Sequence, residues 1–195
     1  MIAFDLEYVP EGSVDGPIAP PRRDLREVYC EILQIGAVKL DNAGREIDTL
    51  DLLVRPSFIS HIPEWHVNLV GITEADREHG ITFEEGLGQF LNFIGHDTDI
   101  WVFYGDAWVL PNSVKKHGLE TSLPEVRQLK PELDKFGITK EQFDGLGLEF
   151  CSGNLHKVLN ISIPGDQLAH NALHDARSLA HSIYSLRHRV GNVSL

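Results

Sequence analysis

The chain has 195 residues, a net charge of −12 at pH 7, and 42% hydrophobic and 24% charged residues. That length suits a single compact domain, the composition argues against disorder, and the acidic excess excludes a protein held on long duplex nucleic acid by general attraction. No apolar stretch reaches the ~18 residues of a membrane span, no basic-then-apolar leader opens the chain, and two distant cysteines, Cys30 and Cys151, make no disulfide framework, so a reducing cytoplasm and no membrane partner are expected.

The first element is a strand over residues 2–8. Ile2, Phe4, Leu6 and Tyr8 alternate onto one face, and Ala3, Asp5 and Glu7 onto the other. The apolar face is read as the core face, so the two acids need not be buried. Pro10, Gly12, Gly16, Pro17, Pro20 and Pro21 then mark a long loop over 9–29, which also carries Arg22, Arg23 and Arg26. Residues 31–41 and 45–56 read as two strands joined at Asp41-Asn42-Ala43-Gly44 into an antiparallel hairpin. A short helix and a turn follow within 63–76. A helix opens at the capping box Thr82–Glu85 and places Phe83, Leu87, Phe90, Leu91 and Ile94 on one face. Residues 99–105 form a compact apolar strand. A helix follows over about 107–117, with Pro111 disturbing its first turn and Gly118 ending it. The stretch 119–169 has little periodicity beyond a capping box at Thr139–Gln142 and a short helix around Leu155–Leu159. The final helix, 171–188, carries the apolar stripe Ala172, Ala176, Leu179, Ile183 and Leu186. This order suits one mixed sheet flanked by helices in a single domain over 1–195.

Three features carry chemistry. Asp5 and Glu7, at i and i+2 on a strand, point the same way and make half of a hard-cation site; a solvent-facing edge strand explains them equally well. Asp106 stands where the strand at 99–105 gives way to a helix, as an N-cap or as a ligand at the carboxyl end of a strand. In the segment HNALHDA, His170 and Asp175 are about 140° apart on a helix, so His170 belongs in the preceding loop with Asn171 as N-cap. A loop histidine beside a metal-binding aspartate can take a proton from water, although a surface histidine is the plainer reading.

Taken together and in this order, the segments resemble the DEDDh 3′–5′ exonucleases of the ribonuclease H-like, DnaQ-like fold. FDLE reads as the first motif of that family, EILQIGAVKLD resembles its second strand, and LVGITEAD its L-x-G-I-T segment. GDAWVL matches the middle motif, and HNALHDA fits H-x-A-L-x-D-A. The likeness spans about 2–185, thins between 119 and 153, and is nearest to stand-alone exoribonucleases related to histone-mRNA and small-RNA trimming enzymes. It implies a five-stranded mixed sheet with one antiparallel strand. It also implies two divalent cations, Mg²⁺ or Mn²⁺, held by Asp5, Glu7, Asp106 and Asp175, with His170 as general base. Leu6 and Ile72 match positions that pack on the terminal base, and Tyr8 is placed with them as substrate-binding. The implied substrates are single-stranded RNA or DNA 3′ ends, RNA slightly preferred, with nucleoside 5′-monophosphates as products. A DNA proofreading or repair exonuclease is the alternative; a non-catalytic module of the same fold is disfavoured because all five site residues are present. The sequence departs from the family in the length of the loop 9–29, in Tyr8, and in Val102 where an asparagine is common, departures that bear on substrate choice. Trp65 and Trp108 stay open as base-stacking candidates, Trp101 reads as core, and Cys30 and Cys151 as small hydrophobes.

Overall fold

The computed structural model describes residues 1–13, 16, 24–165 and 169–189. Arg22 and Arg23, two of the arginines in the long loop, lie outside these residues. Arg26 is described, and its guanidinium is hydrogen-bonded to the Asp24 carboxylate.

The strands are β1 (Ile2–Pro10), β2 (Cys30–Leu40) and β3 (Glu46–Leu53), followed by the helices α1 (Glu64–Val70), α2 (Glu74–His79) and α3 (Phe83–Ile94). Then come β4 (Ile100–Val102), α4 (Asp106–Lys116) and β5 (Arg127–Gln128), a 3-10 helix over Lys130–Phe136, and α5 (Lys140–Gly145). A second 3-10 turn, Ser152–Asn154, leads into α6 (Leu155–Val158), and α7 (Ala172–Arg189) closes the described chain. The sheet order is β3-β2-β1-β4-β5. β2 is antiparallel to β1 and β3, and β4 is parallel to β1 and β5. This is the ribonuclease H-like sheet with its one antiparallel strand.

Local chemistry sets the connections. Asp41 accepts the backbone N–H groups of Ala43 and Arg45, and Gly44 takes φ 76, so the β2–β3 turn closes as expected. The Thr82–Glu85 box caps α3. Its buried Phe83, Leu87, Phe90 and Ile94 pack on one sheet face with Ile2 and Phe4, and the Phe4 and Phe90 rings meet edge to face at 4.8 Å. On the opposite face, Ala176, Leu179, Ile183 and Leu186 of α7 pack on Ala3, Val38 and Trp101.

Both faces of β1 are therefore covered, which corrects the expectation that its acids lie outside the core. Every residue from Ile2 to Glu7 is buried. Alternation along one strand reports the more apolar face; it does not report a helix arriving from 170 residues later. β5 has only two residues and was not located from sequence. No helix among the described residues is long and apolar enough to cross a membrane.

Candidate active site

The acids converge because three elements start or end beside β1. Asp5 pairs in register with Gly36, and Glu7 with Gln34. A Cβ on Gly36 would lie 2.1 Å from the Ala172 carbonyl carbon, so glycine lets α7 begin directly against β2. Gln34 Oε1 accepts the Ala172 N–H at 3.1 Å, and Asn171 Oδ1 accepts the His174 N–H at 3.1 Å, the N-cap expected from sequence. These bonds place Asp175, in the first turn of α7, next to Asp5 and Glu7. Asp106 opens α4 but does not cap it: Gly105 is the N-cap residue. Its carboxylate instead reaches across to β1 and accepts the Leu6 N–H at 3.2 Å.

His170 sits in the loop before α7, as expected, at φ 68, a left-handed conformation uncommon for a side chain this large. Its N–H donates to Asp175 Oδ1 at 3.2 Å, and its Nε2 lies 2.9 Å from Glu149 Oε2. Ser152 Oγ lies 2.8 Å from Asp5 Oδ1 and 3.3 Å from Asp175 Oδ2, a hydroxyl between two carboxylates. Gly153 beside it has no room for a side chain, since a Cβ would stand 2.2 Å from Asp175 Oδ1.

These groups surround a cleft of about 510 Å³. Asp5, Glu7, Asp106 and Asp175 are 7%, 8%, 5% and 2% exposed. Burial, with mutual repulsion behind it, holds the Asp5 and Glu7 carboxyls well above the usual carboxylate range. Burial likewise pushes Asp106 up to about 7, against the Leu6 hydrogen bond, and Asp175 up to about 6, against the nearby His170. The ligand atoms of Glu7, His170 and Asp175 lie within 4.8 Å of one another. Buried oxygen donors of one sign, costly to ionise without a counter-charge, fit divalent cations.

Leu6 and Tyr8 line the cleft. Ile72 does not, contrary to expectation: it is buried with Val9, Leu33, Ile62 and Trp65 in a separate cluster. The larger Trp65 of the same cluster is the side chain that borders the cleft there. Trp101 is core, as read. Trp108 meets Tyr104 edge to face at 4.8 Å. Cys30 is buried, and Cys151 is half-buried on the cleft wall. Glu149, Ser152, Gln34 and Gly36 were missed. Gln34 and Gly36 stood in a strand read only for its apolar residues. Glu149 and Ser152 lie where the chain has no period to read.

A mixed sheet of this order, with four carboxylates and a histidine meeting at β1, is the arrangement expected of a DEDDh exonuclease. The chain belongs to the exonuclease family: residues 3–182 match the family described as Exonuclease (RNase_T). No curated protein matches it. Among solved structures it is similar to the nuclease domain of 3′hExo, a DEDDh family member bound to rAMP. That match has 15% identity and a TM-score of 0.72, over 97% of this chain and 92% of that one. A full-length 3′-exonuclease gives 15% identity and a TM-score of 0.73, over 97% of this chain, which spans 60% of that one. The zinc-bound E. coli ExoI–ssDNA complex gives 15% identity and a TM-score of 0.64, over 96% and 40%.

Proposed function

We propose that the chain is a cytoplasmic, single-domain 3′–5′ exonuclease that hydrolyses single-stranded nucleic acid ends, RNA slightly preferred, to nucleoside 5′-monophosphates. The observation that carries this reading is the meeting of Asp5, Glu7, Asp106 and Asp175, all buried, with His170 in one cleft. The RNA preference rests on the likeness of the motifs to RNA-trimming exonucleases. An acidic chain suits short or single-stranded substrates better than long duplex.

The four carboxylates would hold two divalent cations, Mg²⁺ or Mn²⁺, which when bound neutralise the phosphate and stabilise charge on the entering and leaving oxygens. Leu6 and Tyr8 form the wall against which the terminal nucleotide packs. His170 takes the proton from the attacking water. With Nε2–H donating to Glu149, the neutral ring carries its lone pair on Nδ1, the atom that accepts the proton. Glu149 thereby orients the base as a carboxylate orients a catalytic histidine. Ser152 holds the Asp5 and Asp175 carboxylates in their ligating orientation before any cation arrives.

His170→Ala is expected to bind Mn²⁺ in calorimetry with near wild-type affinity while losing ~100-fold or more of the rate. Cleavage by His170→Ala at the wild-type rate would remove the histidine from the mechanism.

A further inference from the structure

Tyr8 serves the mechanism above only as a wall, although its side chain ends in a hydroxyl. The pairing of β1 with β2 shifts register between Glu7 and Tyr8, and such irregularities re-aim the side chain beside them. The Tyr8 ring is directed toward the start of α4. Its hydroxyl comes within 3.0 Å of where a Cβ on Gly105 would stand, so the glycine before Asp106 leaves it room. Asp106 is the carboxylate that acts on it most strongly. The side chain is half-buried and lines the cleft. The Ser152 hydroxyl and the His170 ring are engaged by carboxylates. The Tyr8 hydroxyl has no hydrogen-bond partner among the described residues. A phenol is protonated at ordinary working pH, so this one is a donor set among acceptors.

The arrangement of the acids decides what that donor meets. The ligand atoms of Glu7, His170 and Asp175 lie within 4.8 Å of one another. With His170 as the base, the attacking water enters from that side. Asp106 lies outside this group, tied to the Leu6 N–H, with Tyr8 beside it. In an in-line displacement the leaving oxygen departs from the face of phosphorus opposite the attacking water. The Tyr8 hydroxyl is on the leaving side.

We infer that the Tyr8 hydroxyl donates a hydrogen bond to the leaving 3′-oxygen, which makes Tyr8 a further catalytic residue. As the bond from the water oxygen to phosphorus forms, the bond from phosphorus to O3′ breaks and its electron pair passes to O3′. The phenol O–H stabilises that charge and keeps its own proton; solvent water protonates the departing alkoxide. This rests on the exonuclease reading above and adds a protein donor on the side of the reaction that the reading leaves to cations.

Tyr8→Phe removes one oxygen that no described residue holds, so its melting temperature should match wild type. Single-turnover cleavage in Mn²⁺ is measured on two strands, identical except that the last linkage of one carries sulfur in place of the bridging 3′-oxygen. A thiolate leaves readily and accepts hydrogen bonds poorly, so it gains little from the phenol. Tyr8→Phe is expected to slow cleavage of the oxygen strand about 30-fold and of the sulfur strand by less than about threefold. Affinity for the oxygen strand, measured in Ca²⁺, should stay within about twofold, as for a contact made only in the transition state. Equal slowing on the two strands, no slowing on either, or a loss confined to affinity overturns the assignment and leaves the exonuclease reading standing. Wild-type protein that cleaves neither strand removes the exonuclease reading and the assignment with it.

Discussion

Asp5 lies between Asp106, Asp175 and Glu7, buried with all three, and the Ser152 hydroxyl, 2.8 Å from its Oδ1, eases the repulsion. Asp5→Asn removes one charge from that group and keeps an oxygen for Ser152. Turnover should fall below detection, and the metal-free protein should gain about 1–2 kcal/mol at pH 8, read from denaturant unfolding in EDTA. A destabilised Asp5→Asn would mean that the carboxylate serves the fold rather than a cation. At this scale the acids were legible because motifs of one or two residues place them on a strand, at a strand–helix junction and in a first helical turn. Glu149 and Ser152 were not, because irregular backbone carries them and only three-dimensional contact gives them a partner.

The hairpin, α3 and α7 were legible from period and caps, and each is stabilised by its apolar stripe. What sequence reading left out was how closely elements approach. Gly36 is the clearest case: in the strand EILQIGAVKL it reads as a weak position, whereas in the fold it is the point where α7 rests on β2. Gly36→Ala should push the start of α7 off the sheet. The expected cost is about 3 kcal/mol or more in denaturant unfolding, together with loss of activity as Asp175 moves. A variant with wild-type stability would show that α7 has slack at this contact. The two-residue β5 was illegible for a different reason: it is too short to show alternation.

Across the whole molecule, two sets of carboxyls pull stability in opposite directions with pH. The site acids titrate above their unfolded values near 4, Asp106 at about 7 and Asp175 at about 6. Between pH ~4 and those values the folded, metal-free protein binds more protons than the unfolded chain, so stability falls as pH rises through that window. Asp99 acts the other way. The guanidinium of Arg187, bonded to both its oxygens at 2.7 and 2.8 Å, holds it down at about 2, and that contribution is lost as pH falls from ~4 toward 2. Burial holds His66 and His156 down at about 4, which raises stability as pH climbs from ~4 to ~6.5, so the share of the site acids is read as a difference: the stability that Asp106→Asn gains over wild type in EDTA should grow from pH ~4 to pH ~7, and saturating Mg²⁺ should remove that gain. A gain for Asp106→Asn that is level or shrinking from pH 4 to 7 would contradict the electrostatic account of the site.

The most direct measurement is a time course with Mg²⁺ or Mn²⁺ on 5′-labelled RNA and DNA of one sequence, each as a single strand and as a duplex. The account predicts a descending ladder, shortened from the 3′ end one nucleotide at a time, faster on single strands and somewhat faster on RNA, and absent with Asp5→Asn. No cleavage under any of these conditions, or cuts within the strand without a ladder, would contradict it.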